Sequence, residues 1–441
     1  MKWQIRKENI KFSLNNKTVQ IVWKVKFLGV FLDYALKWKT HVSEIRKRVL
    51  PRISVLKAIA GIKWGAHPSV LSIAYKSLVR SVLDWRSQVT SPLGDREALV
   101  LDRLQYACSR IVCGFMRTTP TNVLLDVINE HPLRSRRKYL MRKYACRVAS
   151  RTDHPLNLML SQSLSNWEPI CDDNRFDLFD IFVHLAPLIQ QIEPRPLPGL
   201  LAFPFNVRYF KCPVDTESGL IFRNTTSPQQ AFASFLVEKR ATYVFYTDGS
   251  RIPPSGSSPA RVGYSMVSEY PDMTHYSRIN NHSSVFDAEA RGVLCALEYI
   301  SDFEFGQSYV ATDSLSVLRC LDSFDPQGSH PTDIYKIKTL TLELLARKAR
   351  VEFLWVPAHK NIRGNKMADQ YAKKALDMPE PNSSETCSAR SVFPSLRAMA
   401  VEESTAFLTT EARYKGLRYF RLKGKVLGKP WYEDGLVYMK T

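Results

Sequence analysis

Apolar residues recur at helical spacing through the first third of this chain. Between His41 and Ile62 the apolar stripe is formed by Ile45, Val49, Ile53 and Leu56, with basic residues around the other side. The same spacing predicts helices over Ser69–Leu83 and Ala98–Phe115. Pro51 predicts a kink or a division in the first of them. The region is therefore expected to be mostly helical.

A different pattern begins near residue 243, where short apolar runs end in an acidic residue. Tyr243–Thr247 is followed by Asp248, and Tyr309–Thr312 is followed by Asp313. Val351–Trp355 is a third strand-like run, and it precedes a proline rather than an acidic residue. Short apolar runs bounded by small polar residues predict buried strands. Asp248 and Asp313 are thus expected at the ends of two strands.

Two further carboxylates lie on the apolar faces of predicted helices. Glu289 shares a face with Val293, Ala296 and Ile300, and Asp369 shares one with Ala372 and Leu376. Asp287 lies on another face of its helix and is expected to cap that helix or to face water. The sequence therefore predicts four inward-facing carboxylates.

These four carboxylates predict a site for divalent cations. A buried carboxylate without a partner costs several kcal/mol, so positive charge is expected between them. Mg²⁺ prefers oxygen ligands, and two such ions about 4 Å apart promote in-line phosphoryl displacement. Mn²⁺ is the alternative ion. His359 follows a predicted strand and a proline, and a loop imidazole beside such a site can move a proton.

The segment from Tyr243 to Leu376 resembles the type 1 ribonuclease H family. The motifs YTDGS, AEARGVLCAL, ATDSLSVL and WVPAHKNIRGNKMADQYAKKAL occur in the order of that family. The resemblance implies an α/β fold with a mixed five-stranded sheet, flanking helices and Asp248 on the central strand. It also implies hydrolysis of the RNA strand of RNA–DNA hybrids.

The resemblance carries over to individual residues. It implies a metal-binding catalytic set, a mobile catalytic histidine and three residues that contact the substrate. The metal-binding set is Asp248, Glu289, Asp313 and Asp369. The catalytic histidine is His359, and the substrate contacts are Gly249, Ser250 and Asn365. Lys366 departs from the related retroelement motif, which usually has an acidic residue there, but this position is not a metal ligand.

The N-terminal third resembles a second family. VKFLGVFLDYALKW and FMRTTPTNVLL are similar to segments that follow the polymerase palm in non-LTR retrotransposon reverse transcriptases. The Asp-Asp turn that such polymerases need does not precede VKFLGV. The chain is therefore expected to be the C-terminal part of a retrotransposon polyprotein, beginning after the palm and without DNA synthesis.

Charge adds a partner to this picture. Residues 1–150 contain 29 Lys and Arg against 9 Asp and Glu, so they carry the whole net charge of +20. A one-sided basic excess is typical of binding to nucleic-acid phosphates. The eight cysteines include no Cys-x-x-Cys pair, and the sequence has neither an apolar leader nor an apolar span long enough for a membrane. These features predict an intracellular protein, nuclear or cytoplasmic. No protein partner can be inferred.

Four regions are predicted. They are a basic helical region at 1–150 that is thumb- or connection-like, a proline-containing linker with short helices at 151–236, the ribonuclease H domain at 237–378, and a linker with a basic tail at 379–441. A helix is expected over Leu396–Arg413.

Two alternative functions are open. An integrase- or transposase-like nuclease would share the fold, but it would place its acids in a different order. A catalytically silent fragment of a decayed retroelement, which only binds nucleic acid, is the second alternative. The intact set of acids argues against decay of the site.

Overall fold

The structure is a computed structural model that describes residues 12–15, 17–19, 22–61, 65–163, 178–195, 203–255, 258–303, 306–380 and 385–434. The chain divides into two compact units. The first comprises residues 1–141, 169–181 and 398–441, and the second comprises residues 142–168 and 182–397. Among the described residues, no helix has the length and apolar character to cross a membrane.

The first unit is mainly helical. Its strands form two hairpins, β1 (Phe12–Leu14) with β2 (Lys17–Val19) and β3 (Lys24–Phe27) with β4 (Val30–Asp33). Its complete helices are α1 (Lys39–Ala60), α2 (Pro68–Tyr75), a π-helical turn (Lys76–Arg80), α3 (Ser81–Asp84), α4 (Asp95–Cys113) and α5 (Thr121–Val127), followed near the C-terminus by α18 (Leu417–Leu422) and α19 (Trp431–Asp434). Three helices are divided between the units, namely α6 (Leu133–Ala149), α8 (Leu178–His184) and α17 (Phe393–Ala412).

The predicted stripe of α1 forms part of the core of this unit. Ile45, Val49, Ile53 and Leu56 are all buried and pack with residues of α2 and α4. The helix continues through Pro51. The three helices that the apolar spacing predicts in this region are therefore confirmed, the second of them as α2, the π-helical turn and α3.

A buried carboxylate fastens the C-terminal residues within the first unit. Asp126 is fully buried and accepts hydrogen bonds from the Tyr419 hydroxyl (2.6 Å), the Lys423 ammonium and the Leu427 backbone N–H (2.5 Å). A buried charge of this kind is stable only when it is paired and hydrogen-bonded. Residues 417–434 of the predicted basic tail are thus folded, and the helix expected over Leu396–Arg413 is confirmed as α17.

The second unit contains a six-stranded mixed sheet. Its strands are β5 (Val214–Asp215), β6 (Tyr243–Ile252), β7 (Arg261–Glu269), β8 (Asp272–Ile279), β9 (Gln307–Thr312) and β10 (Arg350–Trp355), in the spatial order β5-β10-β9-β6-β7-β8. β5, β10, β9 and β6 pair in parallel, whereas β7 pairs antiparallel with both of its neighbours, β6 and β8. The five predicted strands are present, but the sheet has six strands rather than five. The additional strand is β5, whose two residues are too few to produce a sequence pattern.

Helices cover both faces of this sheet. Complete helices of the unit are α7 (Pro155–Ser163), α9 (Ala186–Ile189), α10 (Phe205–Arg208), α11 (Glu217–Asn224), α12 (Pro228–Glu238), α13 (Val285–Asp302), α14 (Leu315–Leu321), α15 (Thr332–Ala346) and α16 (Arg363–Ala375). Successive residues of β6 enter different cores, because strand side chains alternate between the two faces. Phe245 packs with α13, α14 and α15, whereas Tyr246 packs with α11, α12 and α16.

The segment predicted as a linker contributes to this unit. It supplies β5, and its short helices α11 and α12 bury Phe222 and Phe232 against Tyr246 and Leu354. The ring centroids of Phe232 and Tyr246 are 6.0 Å apart. The core beneath the sheet therefore depends on residues that precede the first long strand.

Candidate active site

Two parallel strands place the first pair of carboxylates side by side. Thr247 of β6 pairs with Thr312 of β9, and each is followed by an acidic residue, Asp248 or Asp313. The Asp313 backbone oxygen accepts hydrogen bonds from the Trp355 indole (3.2 Å) and the Leu315 N–H (3.1 Å). Asp313 therefore follows the end of β9 as expected, whereas the expected position of Asp248 is corrected: it lies within β6, which continues to Ile252 by pairing with β7.

A glycine lets the third carboxylate approach. A Cβ added to Gly249 would lie 2.6 Å from the Glu289 backbone nitrogen, closer than van der Waals contact allows. With glycine at this position, helix α13 lies directly against β6. Glu289 is buried on the face that the sequence predicts, and it points toward Asp248.

Three carboxylates converge at this point. One oxygen from each of Asp248, Glu289 and Asp313 lies within 4.8 Å of the other two, and Asp248 and Glu289 are each only 7% exposed. Burial and repulsion from Asp313 raise the pKa of Asp248 to about 7. Burial and repulsion from Asp248 raise the pKa of Glu289 well above its usual range. Burial also raises the pKa of Asp313, opposed by its hydrogen bond from Asn365 and by the nearby His359.

Asp369 lies in the same cleft but outside this cluster. A cleft of about 380 Å³ is lined by the three converging carboxylates together with Asp369. Asp369 is half-buried and accepts a 2.7 Å hydrogen bond from Lys373, one helical turn later. The expectation of four unpaired inward carboxylates is therefore corrected for Asp369, because Lys373 already balances its charge.

The other predicted site residues fall in different positions. His359 lines the cleft from the loop between β10 and α16, with left-handed backbone (φ 55°). Gly249 and Asn365 also line it, and the Asn365 amide donates a 3.5 Å hydrogen bond to Asp313. Ser250 lies one residue further along β6 and is not among the residues that line the cleft. The structure thus brings together all the predicted residues except Ser250.

Sequence reasoning missed part of the cleft wall. Lys360, Asn361, Ile362 and Lys366 also line it. They belong to the same segment as His359 and Asn365, so their nearness in the sequence was the available signal. Asp287 is excluded from the site, because it forms a capping box with Ser284 at the start of α13. This confirms the capping role expected for it.

The cluster has the chemistry of a site for hard divalent cations. Its donors are carboxylate oxygens, the ligands that Mg²⁺ prefers. One Glu289 oxygen, Oε2, is buried and has no hydrogen-bond partner within the described residues. Buried polar atoms nearly always have a partner, so this oxygen is suited to bind a cation.

The segment that forms the cleft matches a known protein family. Residues 240–377 match the RNase H family. These residues form a ribonuclease H domain. The match covers β6 to α16 and contains every strand end, helix and loop that lines the cleft. The fold expected for the segment is therefore confirmed, and the family supports ribonuclease activity on RNA–DNA hybrids.

A similar protein comes from a retrotransposable element. Over 70 residues the chain is 30% identical to a Retrovirus-related Pol polyprotein from a type-1 retrotransposable element R1 of Nasonia vitripennis. That match covers 16% of this chain and 18% of the relative, so the chain spans less than a fifth of the relative's length. The two matches confirm the likeness to a non-LTR retrotransposon polyprotein that carries a ribonuclease H domain.

Two solved structures are each similar to about 30% of this chain. RNase H1 from Halobacterium salinarum is 26% identical, with 30% of this chain and 96% of that chain covered and a TM-score of 0.23. The protease-reverse transcriptase of Prototype Foamy Virus is 19% identical, with 31% and 21% covered and a TM-score of 0.27.

Proposed function

We propose that this ribonuclease H domain hydrolyses the RNA strand of RNA–DNA hybrids with two divalent cations, Mg²⁺ or Mn²⁺. The observation that carries the proposal is the convergence of Asp248, Glu289 and Asp313 within 4.8 Å in an open cleft. Three carboxylates at this separation repel one another, as their raised pKa values indicate. Such an arrangement is unfavourable for folding and favourable for cation binding.

The residues of the cleft divide the work. Asp248, Glu289 and Asp313 would hold the cations, and Asp369, which lines the same cleft, would be the fourth ligand. When bound, the cations supply positive charge to the attacking and leaving oxygens of an in-line phosphoryl displacement. Asn365 orients the Asp313 carboxylate through its 3.5 Å hydrogen bond.

We propose that residues lining the same cleft also recognise the substrate. Gly249 and Asn365 line the cleft and are proposed to contact the RNA strand, and Ser250 contacts it from the neighbouring position. The 2′-hydroxyls of RNA distinguish the hybrid from DNA. The basic N-terminal region adds affinity for phosphates, which is supported by the exposed Arg46 and Arg48 on α1.

The proposal is tested with matched RNA–DNA, DNA–DNA and RNA–RNA duplexes, incubated with the full chain and Mg²⁺, Mn²⁺ or EDTA. We expect cleavage of the RNA strand of the hybrid alone, with 5′-phosphate and 3′-hydroxyl ends, and none in EDTA. Folded protein that binds the hybrid without cutting it under any metal condition would instead identify a silent binding fragment.

His359 is proposed to move a proton to the leaving group from its loop at the cleft. Replacing it by alanine should slow turnover by about 10²–10⁴-fold, the usual contribution of general acid–base catalysis, and should leave detectable activity that depends on metal. His359→Asn is the matched variant, because asparagine tolerates the left-handed backbone at this position better than alanine. The measurement is the single-turnover cleavage rate against pH.

Both His359 variants should flatten the dependence of rate on pH relative to the native protein. If the rate and its pH profile are the same in all three proteins, His359 takes no part in proton transfer.

Metal binding is expected to depend on pH through Asp248. Its pKa in the folded protein is about 7, above the ordinary value, so the stability it contributes is present at low pH and lost as pH rises through 7. A cation offsets the repulsion between ionised carboxylates. Adding Mg²⁺ should therefore raise the melting temperature more at pH 8 than at pH 5.5, as measured by calorimetry.

Asp248→Asn and Asp302→Asn provide the comparison. Without metal at pH 8, Asp248→Asn should melt above the native protein and should respond less to Mg²⁺. Asp302 is exposed and lies outside the cleft, so Asp302→Asn should behave as the native protein does. Equal effects of Mg²⁺ at the two pH values would contradict the expected coupling.

A further inference from the structure

A second cavity in the unit that contains the ribonuclease H domain is lined by arginines. It has a volume of about 500 Å³, and all of its lining residues belong to this unit. Its arginines come from four places in the chain: Arg147, Arg151, Arg195 and Arg390. The acidic residue in its wall is Glu193. The formal charge of the lining is therefore +3, whereas the cleft described above is acidic.

Two of these arginines are held by backbone pairing. Arg151 and Arg195 lie opposite each other in a parallel bridge, with hydrogen bonds from Arg195 N to Ser150 O (2.6 Å) and from Thr152 N to Arg195 O (3.1 Å). The Arg195 guanidinium donates to the His330 backbone oxygen (3.2 Å) and lies 3.4 Å from Glu193. Arg195 is thus fixed as part of the wall.

The opposite wall is a loop that a buried carboxylate makes rigid. Asp325 is only 5% exposed and accepts hydrogen bonds from Ser329 N (2.6 Å), His330 N (2.7 Å) and the Tyr335 hydroxyl. Tyr335 in turn stacks on Phe203 at 3.8 Å between ring centroids. The loop therefore presents Ser329 and His330 to the cavity in one conformation.

Two arginines remain available to a ligand. Arg151 and Arg390 are exposed, and neither guanidinium forms an ion pair within the described part of the chain. The pKa of His330 is lowered, mainly by burial and also by the positive charges of Lys338 and Arg390, and Asp325 opposes this shift. The charge of Arg390 is therefore felt inside the cavity. Arginines without carboxylate partners around a cavity repel one another, so an anion would stabilise them.

We infer that this arginine cavity, defined by Arg147, Arg151, Arg195 and Arg390, binds backbone phosphates of a nucleic-acid strand. Guanidinium groups bind phosphate oxygens in a bidentate manner, and serine hydroxyls commonly complete such contacts. Ser150, Ser329 and Ser388 provide hydroxyls in the wall. Apolar side chains are few there, namely Pro331 and Ala389, which favours a polyanion over an acidic peptide with apolar anchors. The inference shares its nucleic-acid substrate with the proposed function but does not depend on the chemistry.

The test compares two pairs of arginine substitutions in the full chain. Arg151→Ala with Arg390→Ala removes the two available arginines of the cavity. Arg319→Ala with Arg347→Ala removes the same charge from exposed positions outside it. Affinity for a fluorescent RNA–DNA hybrid is measured by anisotropy in EDTA over a range of salt concentrations, so that cleavage does not enter.

The cavity pair should bind about 10–100-fold more weakly at 0.1 M salt, and its slope of log affinity against log salt should be shallower by about 2, since each phosphate contact contributes about 0.9. The control pair should keep a slope close to that of the native protein. Arg151→Lys with Arg390→Lys should restore the salt slope, because the charge is retained, but only part of the affinity, because an ammonium cannot bind phosphate in a bidentate manner. Circular dichroism and the melting temperature establish that each variant is folded.

Three results would overturn the inference. They are unchanged binding by the cavity pair, an equal loss in both alanine pairs, and a melting-temperature increase with inorganic phosphate that needs Arg151 and Arg390 while hybrid binding is unaffected. The last result would identify a site for a small anion. Absence of cleavage by the native chain in Mg²⁺ would count against the proposed function alone, since the binding measurement needs no cleavage.

Discussion

Asp248→Asn is expected to abolish cleavage of RNA–DNA hybrid while leaving the fold intact. The amide has nearly the shape of the carboxylate but cannot balance the charge of a divalent cation. A loss of at least about 10²–10³-fold is expected, since removal of preorganised electrostatic stabilisation commonly has effects of this size. Asp313→Asn should behave in the same way. The measurement is single-turnover cleavage of a labelled hybrid in Mg²⁺.

Asp302→Asn is the matched control, with the same chemical change on the exposed side of the domain. It should cut at the native rate. Near-normal cleavage by purified, folded Asp248→Asn protein would reject the proposed metal site.

Gly364→Ala is expected to have the largest effect on stability. Gly364 is buried at the start of α16, and an added Cβ would lie 2.2 Å from the ring of Tyr246. The ring cannot withdraw easily, because it is 6% exposed and packs with Phe232. Overpacking of this kind costs about 1–3 kcal/mol of unfolding free energy, more than the gain of about 1 kcal/mol from replacing glycine in a helix.

The same substitution should slow cleavage, because α16 carries Asn365 and Asp369. A displacement of about 1 Å at such a site can cost 10²-fold in rate. Gly306→Ala is the control, since its added Cβ would meet no described atom within 4 Å. Thermal melts and cleavage rates of both variants are compared, and a second substitution, Tyr246→Leu, should restore part of the stability of Gly364→Ala. A melting temperature equal to that of Gly306→Ala would show that the contact is relieved without cost.

The helices and strands around the site were predictable because their patterns are local. The apolar run of β6 and the apolar face of α13 are contained in short windows of sequence, and so is the position of each acidic residue beside them. The salt bridge between Asp369 and Lys373 was equally readable, since residues four apart on a helix are neighbours. The sequence analysis did not use this spacing, and so it did not predict that Lys373 pairs with Asp369.

Features that depend on distant residues were not predictable in this way. Asp126 appears in the sequence as an ordinary helix residue, and its burial becomes favourable only through Tyr419, Lys423 and Leu427 near the other end of the chain. The two residues of β5 carry no periodicity of their own. Asn365 was expected to contact substrate, and its hydrogen bond to Asp313 follows only from the packing of α16 against the sheet.

The edge strand β5 has a consequence for synthesis on the ribosome. Val214 pairs with Phe353, about 140 residues later, and a contact of such long sequence separation forms late. Until β10 has left the exit tunnel, β5 has no neighbouring strand to pair with. Phe222 and Phe232 also lack Leu354 of β10, one of the residues that they pack against in the folded protein. Completion of the sheet therefore has to wait until translation has passed residue 355, and a ribosome stalled before that point would expose an aggregation-prone intermediate.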